Sequence, residues 1–229
     1  MFWSDEKDRK PEFVVPDDVV DLAFRIKCPT LPLDHAHSLS SALLRELPWL
    51  EKEEFAGVHL IHGAASGNGW FRPEDVSNEL LHLSRRTRMR LRLPKHRLED
   101  ARQLVGKTLD VAGHSLALGE TEVFLLSSLP TLFARYVITD ADKSEEAFLE
   151  DVARQLEADG VACRKLLGGI SHALNFPQGP VFTRSLMVAD LKPEQSVRLQ
   201  QIGVGEGRAM GCGLFLPHKG IKPVTENSE

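Results

Sequence analysis

Apolar residues in the first half of the chain follow the spacing of a strand and then that of a helix. Apolar side chains alternate with mostly polar ones from residue 20 to residue 26, which predicts a half-buried strand. Asp34 then occupies the expected N-cap of a helix, and an apolar stripe of helical spacing continues until Pro48 ends it. The remaining predicted elements are a short strand near 58–62, a glycine-rich stretch over 63–78, a strand over 80–93, a helix over 96–104, and one or two strands within 107–124.

The second half of the chain repeats this order of elements. Its predicted elements are a strand over 132–138, a helix over 144–159, strands over 161–166 and 181–189, a helix from Pro193 that Gly203 ends, and a strand over 212–216. Each half therefore has the order βαββαβ, which is the ferredoxin-like order. The sequence predicts an α+β fold of two tandem ferredoxin-like (βαββαβ) domains, residues 1–128 and 129–229. They are related by pattern and not by detectable sequence identity.

Composition is that of a globular protein and narrows the possible functions. Hydrophobic residues make up 42% of the 229, charged residues 27%, and no apolar run is long enough to span a bilayer. The first residues lack the apolar core of a signal peptide, and the three cysteines form no CxxC pair. We therefore expect a cytoplasmic protein without membrane association, disulfide framework, metal or other cofactor. The net charge of −5 argues against nucleic-acid binding on average, but local clusters set the field that a ligand meets.

Four arginines occupy every second position near the end of the predicted strand over 80–93. Arg86, Arg88, Arg90 and Arg92 would share one face of that strand, with apolar residues on the other. One interpretation is a solvated face that nearby carboxylates partly neutralise. Because like charges in register repel one another unless an anion meets them, we favour the other interpretation, in which this face binds phosphate.

A second candidate for nucleic-acid binding is the glycine-rich segment 203–213, which has five glycines in eleven residues. Glycine lets a backbone approach a phosphate closely and point its N–H groups at it. The segment follows a predicted helix and precedes a strand, and position 210 is Met, so it matches neither a dinucleotide-binding fingerprint nor a Walker loop. The candidate binding residues are Gly203, Gly205, Gly207, Arg208, Gly211 and Gly213.

The preferred catalytic candidates are two histidines at the start of the first predicted helix. His35 and His37 flank its apolar stripe on opposite sides, so one cleft can receive only one of them. In the first helical turn, the positive end of the helix dipole would lower the pKa of His35 and attract phosphate. A neutral imidazole there can take the proton of a ribose 2′-hydroxyl. His35 lies on the polar edge of the stripe, so its removal should cost little stability.

The remaining histidines are weaker candidates. His59 and His62 on the next predicted strand are second choices for catalysis, and His218 with Lys219 after the last strand is a candidate for RNA contact. The histidines that belong to no visible constellation are His82, His96, His114 and His172.

These features together resemble a known family. Paired ferredoxin-like halves, a histidine at the start of the first helix and a glycine-rich loop before the last strand resemble the CRISPR-associated repeat-processing endoribonucleases of the RAMP superfamily. The stretches most similar to the subtype first described in myxobacteria are Thr30-Leu-Pro-Leu-Asp-His35, Leu83-Ser-Arg-Arg-Thr-Arg88 and Gly211-Cys-Gly-Leu-Phe-Leu-Pro-His-Lys219. The resemblance covers about residues 19–221.

The resemblance implies a function, a partner and roles for several residues. It implies cleavage of CRISPR repeat RNA without metal, leaving a 5′-hydroxyl and a 2′,3′-cyclic phosphate, and association with other subunits of an interference complex. It makes His35 the general base or acid and the 203–213 segment an RNA-contacting loop, with Lys219 just beyond it. It does not fix the residue that assists His35, for which the candidates are Lys27, Arg25, Tyr136 and Ser38.

Three other functions fit parts of the sequence. A noncatalytic RNA-binding subunit of a CRISPR complex would share the fold and the glycine loop, but needs no imidazole at His35. A two-histidine phosphoesterase needs two His-x-Ser/Thr motifs, and only His82-Leu-Ser84 is present. A generic RNA-binding module would need stacked aromatic residues that the predicted strands lack.

Overall fold

A computed structural model describes residues 13–62 and 79–218, which form a mixed α and β fold with antiparallel sheets. The strands are β1 Val19–Lys27, β2 Thr30–Pro32, β3 Gly57–His59, β4 Leu80–His82, β5 Arg88–Pro94, β6 Thr108–Val111, β7 His114–Leu125, β8 Leu132–Ile138, β9 Lys165–Phe176, β10 Gly179–Ala189 and β11 Leu216–Pro217. The α-helices are α1 Ala36–Glu46, α2 Leu98–Arg102, α3 Glu145–Ala158 and α4 Pro193–Ile202. Short 3-10 turns cover Pro48–Glu51, Lys95–Arg97 and Arg208–Met210. In the part of the chain described, no helix is long and apolar enough to cross a lipid bilayer.

The N-terminal half is built on a five-stranded sheet with strand order β3-β5-β1-β7-β6. The apolar positions of β1 and β5 face α1 and α2 and form one buried core, because successive side chains of a strand point to opposite faces. Leu22 and Leu91 of the sheet and Leu39 and Leu43 of α1 are fully buried in this core. The polar positions of the same strands therefore lie on the other face of the sheet.

The C-terminal half is built on a four-stranded sheet with strand order β11-β8-β10-β9. Its helices α3 and α4 cover one face, where Phe148, Val152 and Leu199 pack against strand residues. The other face contacts the start of α1, through a small cluster that includes Ala36, Tyr136 and Leu174. Strands β2 and β4 form a separate two-stranded sheet; β2 lies between β1 and α1 in the chain, and β4 precedes β5.

Several element boundaries differ from those predicted from the sequence. The predicted strand over 80–93 is two strands, because the Ser84 and Thr87 side chains bond within a turn and the Thr87 N–H donates to the Ser84 carbonyl. The strand predicted over 161–166 is in fact β9, which is longer and begins later. Its glycine and polar residues interrupt the apolar alternation from which strands are predicted. The predicted N-cap Asp34 is also wrong, since His35 occupies that position and Asp34 instead accepts hydrogen bonds from Asn175.

The two halves are joined through the polar face of the first sheet by a buried arginine. Arg92 in β5 is completely buried, and its Nε and Nη2 donate to the two carboxylate oxygens of Asp21 on the adjacent β1 at 2.8 and 3.0 Å. Its Nη1 donates to the carbonyls of Gln200 in α4 and Phe215 before β11, at 2.8 and 2.9 Å. These bonds use four of the five N–H groups of the guanidinium, and two of the four fix the C-terminal half on the sheet.

His59 completes this buried polar cluster from β3. Its Nε2 lies 3.4 Å from Asp21 Oδ1, and the residue is only 9% exposed. Burial lowers the pKa of His59 more strongly than the nearby Asp21 raises it. Burial opposes ionisation of Asp21 too, but Arg92 and then His59 outweigh it and hold the pKa of that carboxyl far below its usual range. His59 therefore contributes to structure, and its predicted second-choice catalytic role is wrong.

Removing Arg92 should be strongly destabilising. Arg92→Met leaves Asp21 buried without its main counter-charge, so we expect a loss of about 3–5 kcal/mol in the free energy of unfolding. Arg154→Met is the matched control, because the Arg154 side chain is 75% exposed and its pair with Asp151 is within α3. That variant should unfold like the parent, as exposed pairs contribute little. Equal urea midpoints and slopes for the two variants would contradict the structural role of Arg92.

Acidification should destabilise the fold in two steps. Because the folded-state pKa of His59 is lowered, the unfolded chain binds a proton near its ordinary pKa of about 6.5 that the folded chain does not bind. This contribution to stability is complete above about pH 6.5 and falls, by at most about 1.4 kcal/mol per pH unit, as the pH drops below it. The contribution of Asp21, whose pKa is also lowered, is lost only below about pH 4.

The first step can be isolated by a matched pair of variants studied by urea unfolding between about pH 8 and about pH 5. In His59→Gln the amide can still donate to Asp21 but does not titrate, so stability should depend less on pH over this range. His96→Gln is the control, because the His96 side chain is 66% exposed. If the His59 variant kept the parent's pH dependence, the buried neutral histidine would not be its source.

Candidate active site and nucleic-acid interface

His35 is a buried residue with structural bonds, which weighs against its prediction as the general base or acid. It is 2% exposed at the N-cap of α1. Its Nε2 accepts a hydrogen bond from the Ile61 N–H at 3.1 Å, so Nδ1 carries the proton and donates to the Pro32 carbonyl at 2.9 Å. Both ring nitrogens are thus bonded to the backbone, and the imidazole fixes the chain immediately before His62. The prediction that its removal costs little stability fails for the same reason.

Two other histidines, one from each half, flank a single tyrosine. The ring of Tyr136 lies 6.1 Å from that of His62 and 5.5 Å from that of His172, measured between centroids. Tyr136 is 5% exposed, whereas both histidines are partly exposed. Because imidazoles can both accept and donate protons near neutral pH, this cluster can carry acid–base chemistry on a bound ligand.

A β-bulge directs Tyr136 toward these histidines. Arg184 of β10 pairs with Val137 of β8, but Leu186 pairs with Ala134, so β8 has one extra residue at this point. Ala134 and Val137 both pack toward the helices of the C-terminal half, while Tyr136 faces the N-terminal half. A bulge allows this change of side within one strand. The Gly213 N–H donates to the Tyr136 carbonyl at 2.7 Å and holds the bulged backbone.

His37 lies at the other end of the same contact between α1 and β9. Its ring meets that of Phe176 edge-on at a centroid distance of 5.4 Å, and its Nδ1 is 3.4 Å from Ser41 Oγ. His172 is four residues before Phe176 on β9, so the two β9 positions are about 13 Å apart. His37 and the Tyr136 cluster are therefore separate sites.

The cavity beside His37 is acidic. It has a volume of about 490 Å³ and lies between α1, the turn that follows it and the glycine-rich segment. Four carboxylates line it, against one lysine and the engaged Arg208: Glu51, Glu53, Glu54 and Glu206. Glu53 is partly neutralised, because Arg97 Nε donates to it at 2.8 Å. A phosphodiester entering this cavity would be repelled.

Lys27 lies in a different, basic groove. The groove has a volume of about 610 Å³ and is lined by the end of β1 and by the segment that follows β4. Among the described residues, none lines both this groove and the acidic cavity. Lys27 is exposed there, and the structure brings it together with Arg25 and Arg85.

The arginines predicted to share a strand face have four different environments. Arg86 precedes β5 and is exposed in the turn, so it is not on the strand. Arg88 donates to the Arg85 and Thr87 carbonyls, and the Arg90 guanidinium lies 5.0 Å from the centre of the Phe124 ring. Arg92 is buried, so its predicted phosphate contact is wrong. The period-two spacing was correct for Arg88, Arg90 and Arg92, but the second half of the chain covers one end of that face.

The glycine-rich segment packs mainly on the protein itself. A Cβ at Gly203 or Gly213 would lie 2.4 Å from a backbone oxygen of the same segment, and one at Gly211 would meet Leu60 at 2.5 Å. A Cβ at Gly207 would meet Ile138 at 2.8 Å, whereas one at Gly205 would meet nothing within 4 Å. Of these five glycines, only Gly205 therefore has open space beside its Cα for a ligand.

Arg208 within this segment has a structural role, and its RNA contact stays a prediction. Its Nε and Nη2 donate to the carbonyls of Ala56 and Phe55 at 2.9 Å each, and its Nη1 donates to the Ile202 carbonyl at 2.7 Å. Burial lowers the pKa of Arg208 to about 10. Lys219, also predicted to contact RNA, lies outside the described residues.

Sequence reasoning overlooked His172 and ranked His62 second. His172 lies on β9, a strand whose only buried residue is Leu174, and the residues that complete the cluster are 36 and 110 positions away in the sequence. Tyr136, the only tyrosine of the chain, was the available signal, because it was already a candidate to assist the catalytic histidine.

Comparisons with known proteins agree with this architecture. The family model described as Cas6 Crispr matches residues 20–220. The CRISPR-associated endonuclease Cas6 of Myxococcus xanthus (strain DK1622) is 38% identical over 198 residues, which are 86% of this chain and 81% of that protein.

Solved structures share the fold at low sequence identity. A CRISPR-associated protein Cas6 superimposes with a TM-score of 0.61 at 12% identity, covering 88% of this chain and 100% of that one. The product of a Cas6-related gene from Pyrococcus furiosus gives 0.57 at 11% identity, with coverages of 86% and 98%. A RAMP protein that binds different RNA substrates gives 0.55 at 15% identity, with coverages of 86% and 97%.

The family match spans nearly the whole chain, and the myxobacterial relative is similar over most of its own length. The resemblance to the CRISPR-associated RAMP proteins, first seen in the sequence, is thereby confirmed. The chain belongs to the Cas6 family of CRISPR-associated proteins.

Proposed function

We propose that this chain is an endoribonuclease that cleaves CRISPR precursor RNA within its repeats, without a metal ion. The observation that carries the proposal is the pair of partly exposed histidines, His62 and His172, on either side of Tyr136. The name of the Myxococcus xanthus relative, a CRISPR-associated endonuclease, supports the choice of substrate. Association with further subunits of an interference complex remains a prediction from the family resemblance.

The chemistry needs two proton transfers, which two histidines can supply. One imidazole removes the proton of a ribose 2′-hydroxyl, whose oxygen then forms a bond to the adjacent phosphorus. The bond from phosphorus to the 5′-oxygen of the next nucleotide breaks, and the other imidazolium protonates that oxygen. The products are a 2′,3′-cyclic phosphate and a 5′-hydroxyl. Tyr136 between the two rings can donate its hydroxyl proton to a phosphoryl oxygen in the transition state.

Electrostatics favour this cluster over His37. A phosphodiester is an anion, and the cavity beside His37 presents four carboxylates to it. Two unit charges of the same sign about 4 Å apart repel by about 4 kcal/mol at an effective dielectric constant of about 20. His37 therefore remains a candidate for catalysis, but the negative potential of its cavity disfavours a bound phosphodiester. The Tyr136 cluster is the better site for the reaction.

We also infer that both halves are ferredoxin-like units. The described elements of the C-terminal half follow the order βαββαβ, from β8 to β11. In each sheet the first long strand of the half lies between the strand before its second helix and a strand after that helix: β1 lies between β5 and β7, and β8 between β10 and β11. The N-terminal half differs by the added strands β2, β4 and β6.

A noncatalytic RNA-binding subunit is the second candidate function. The burial of His35 removes the feature that first separated the two possibilities, because that imidazole has a structural reason to be present. The histidines that now distinguish an enzyme from a scaffold are His62 and His172.

His62→Ala and His172→Ala should each cut repeat RNA at least about 100-fold more slowly than the parent, since a positioned acid or base typically contributes 10²–10⁴ in rate. His37→Ala is the matched control and should retain most activity. The measurement is single-turnover cleavage in excess EDTA with enzyme over RNA, followed by analysis of the product ends for a 2′,3′-cyclic phosphate.

The possible outcomes of this experiment separate the alternatives. A slow His37→Ala variant beside active His62 and His172 variants would move the site to the acidic cavity. A parent protein that binds repeat RNA but leaves it intact would favour the noncatalytic subunit. Cleavage that stops with EDTA and returns with magnesium would refute the metal-independent mechanism.

His35→Ala should impair folding as well as cleavage. The change leaves the Ile61 N–H and the Pro32 carbonyl without their bond to the imidazole, which should lower the free energy of unfolding by about 1–3 kcal/mol. Urea unfolding checks this, with His37→Ala as the comparison on the same helix. A His35 variant as stable as the parent, yet inactive, would restore His35 to a direct role in the reaction.

A further inference from the structure

The basic groove beside Lys27 concentrates positive charge at the open end of the first sheet. Arg25 and Lys27 extend from the last part of β1, and Arg85 from the turn between β4 and β5. All three are exposed, and the Arg25 side chain keeps 60% of its surface in solvent. The groove therefore holds three cations that are accessible to a ligand.

These charges are poorly neutralised by the protein. Arg25 is directly opposite Arg88 in the pairing of β1 with β5, and like charges at such a position are destabilising. The described ion pair of Arg25 is with Glu120, at 3.7 Å, and that carboxylate is 88% exposed, so it is highly screened. An anion bound in the groove would relieve the repulsion.

The turn that carries Arg85 is held in place. Nη1 of Arg88 donates to the Arg85 carbonyl at 3.1 Å and to the Thr87 carbonyl at 3.0 Å. The Ser84 and Thr87 side chains are bonded to each other and to backbone N–H groups within the same turn. Because the turn is fixed, binding of a ligand to the Arg85 guanidinium loses less backbone entropy than binding to a mobile loop would.

The groove is suited to a nucleotide more than to a simple ion. Its volume of about 610 Å³ is in the range of small-molecule sites. Pro29 and the partly exposed Leu83 add apolar surface beside the cations, whereas the other two apolar lining residues, Ile26 and Cys28, are buried in the core. Apolar surface can receive a base or ribose while the cations contact phosphate oxygens.

A short, fixed segment connects the groove to the proposed active site. Cys28 lines the groove, and Pro32 follows four residues later, at a distance of at most about 14 Å. The Pro32 carbonyl accepts from His35, whose Nε2 in turn accepts from the Ile61 N–H, next to His62. This chain of covalent and hydrogen bonds holds the groove and the backbone next to His62 in one connected part of the structure.

We propose that Arg25, Lys27 and Arg85 hold the sugar–phosphate backbone of a single-stranded part of the substrate RNA, on one side of the cleaved bond, with a base against the apolar lining. The proposal rests on the proposed function, because that function supplies RNA as the ligand. It also gives Lys27 a new role: Lys27 binds the substrate at a distance, in place of the predicted assistance to the catalytic histidine.

The test is the salt dependence of RNA affinity in the full chain. The probe is uniformly 2′-O-methylated repeat RNA, which cannot be cleaved, so binding is measured apart from chemistry. The triple variant Arg25→Ala, Lys27→Ala, Arg85→Ala should bind at least about tenfold more weakly, and the slope of log affinity against log salt should fall by about 2, at about 0.7 per lost phosphate contact. Arg85→Ala alone, in an exposed turn, should lower the slope by about 0.7.

The matched control removes the same number of exposed charges elsewhere: Lys107→Ala, Arg154→Ala and Arg198→Ala. This variant should keep the parent's affinity and slope, and equal effects of the two triple variants would overturn the groove and leave only a general charge effect. Unchanged affinity and slope in the groove variant, with the parent cleaving normal repeat RNA, would also overturn it. A parent that binds the probe but cuts no repeat RNA would count against the proposed function alone, since the binding measurement does not depend on cleavage.

Discussion

The buried contact between Arg92 and Asp21 is the constraint on which the arrangement of the two halves depends. Arg92 donates from β5 to Asp21 in β1 and to the carbonyls of Gln200 and Phe215. One guanidinium thus joins two strands of the first sheet to α4 and to the residue that precedes β11 in the second half. A buried ion pair is costly to desolvate and is tolerated only when every donor is satisfied. Because the carbonyls that satisfy Arg92 belong to the C-terminal half, the pair and the docking of that half require each other.

This docking divides the polar face of the first sheet into a closed and an open end. At the closed end Arg92 is buried, and Arg208 adds hydrogen bonds from the glycine-rich segment to Phe55 and Ala56. At the open end Arg25 faces Arg88 with little compensation, which makes the basic groove. The same docking brings β8 and β9 against the start of α1, so that Tyr136 reaches His62. The proposed binding surface and the proposed catalytic cluster are thus consequences of one packing arrangement.

Local sequence predicted the elements that bury one face, but not the contacts between distant segments. The apolar spacing of β1, α1, β8 and α3 is regular, so these elements lie close to their predicted bounds. Arg88 and Arg92 are equivalent in the sequence pattern, yet they differ because Gln200 and Phe215, which are 108 and 123 residues further along, cover only Arg92. The burial of His35 was not predicted for the same reason: its bond to Ile61 spans 26 residues and leaves no trace in the spacing of the helix.

The separation of charge on the surface reconciles an acidic protein with an RNA substrate. A net charge of −5 gives little long-range attraction for RNA, so binding has to come from short-range clusters within about one Debye length, which is about 8 Å at physiological salt. The structure places cations beside the segment that leads to His62 and carboxylates in the cavity beside His37. An RNA strand that follows this field is drawn to one face and repelled from the other. Under the proposed function, the acidic cavity would therefore disfavour unproductive binding, and the polarity of the surface would direct the substrate to His62 and His172.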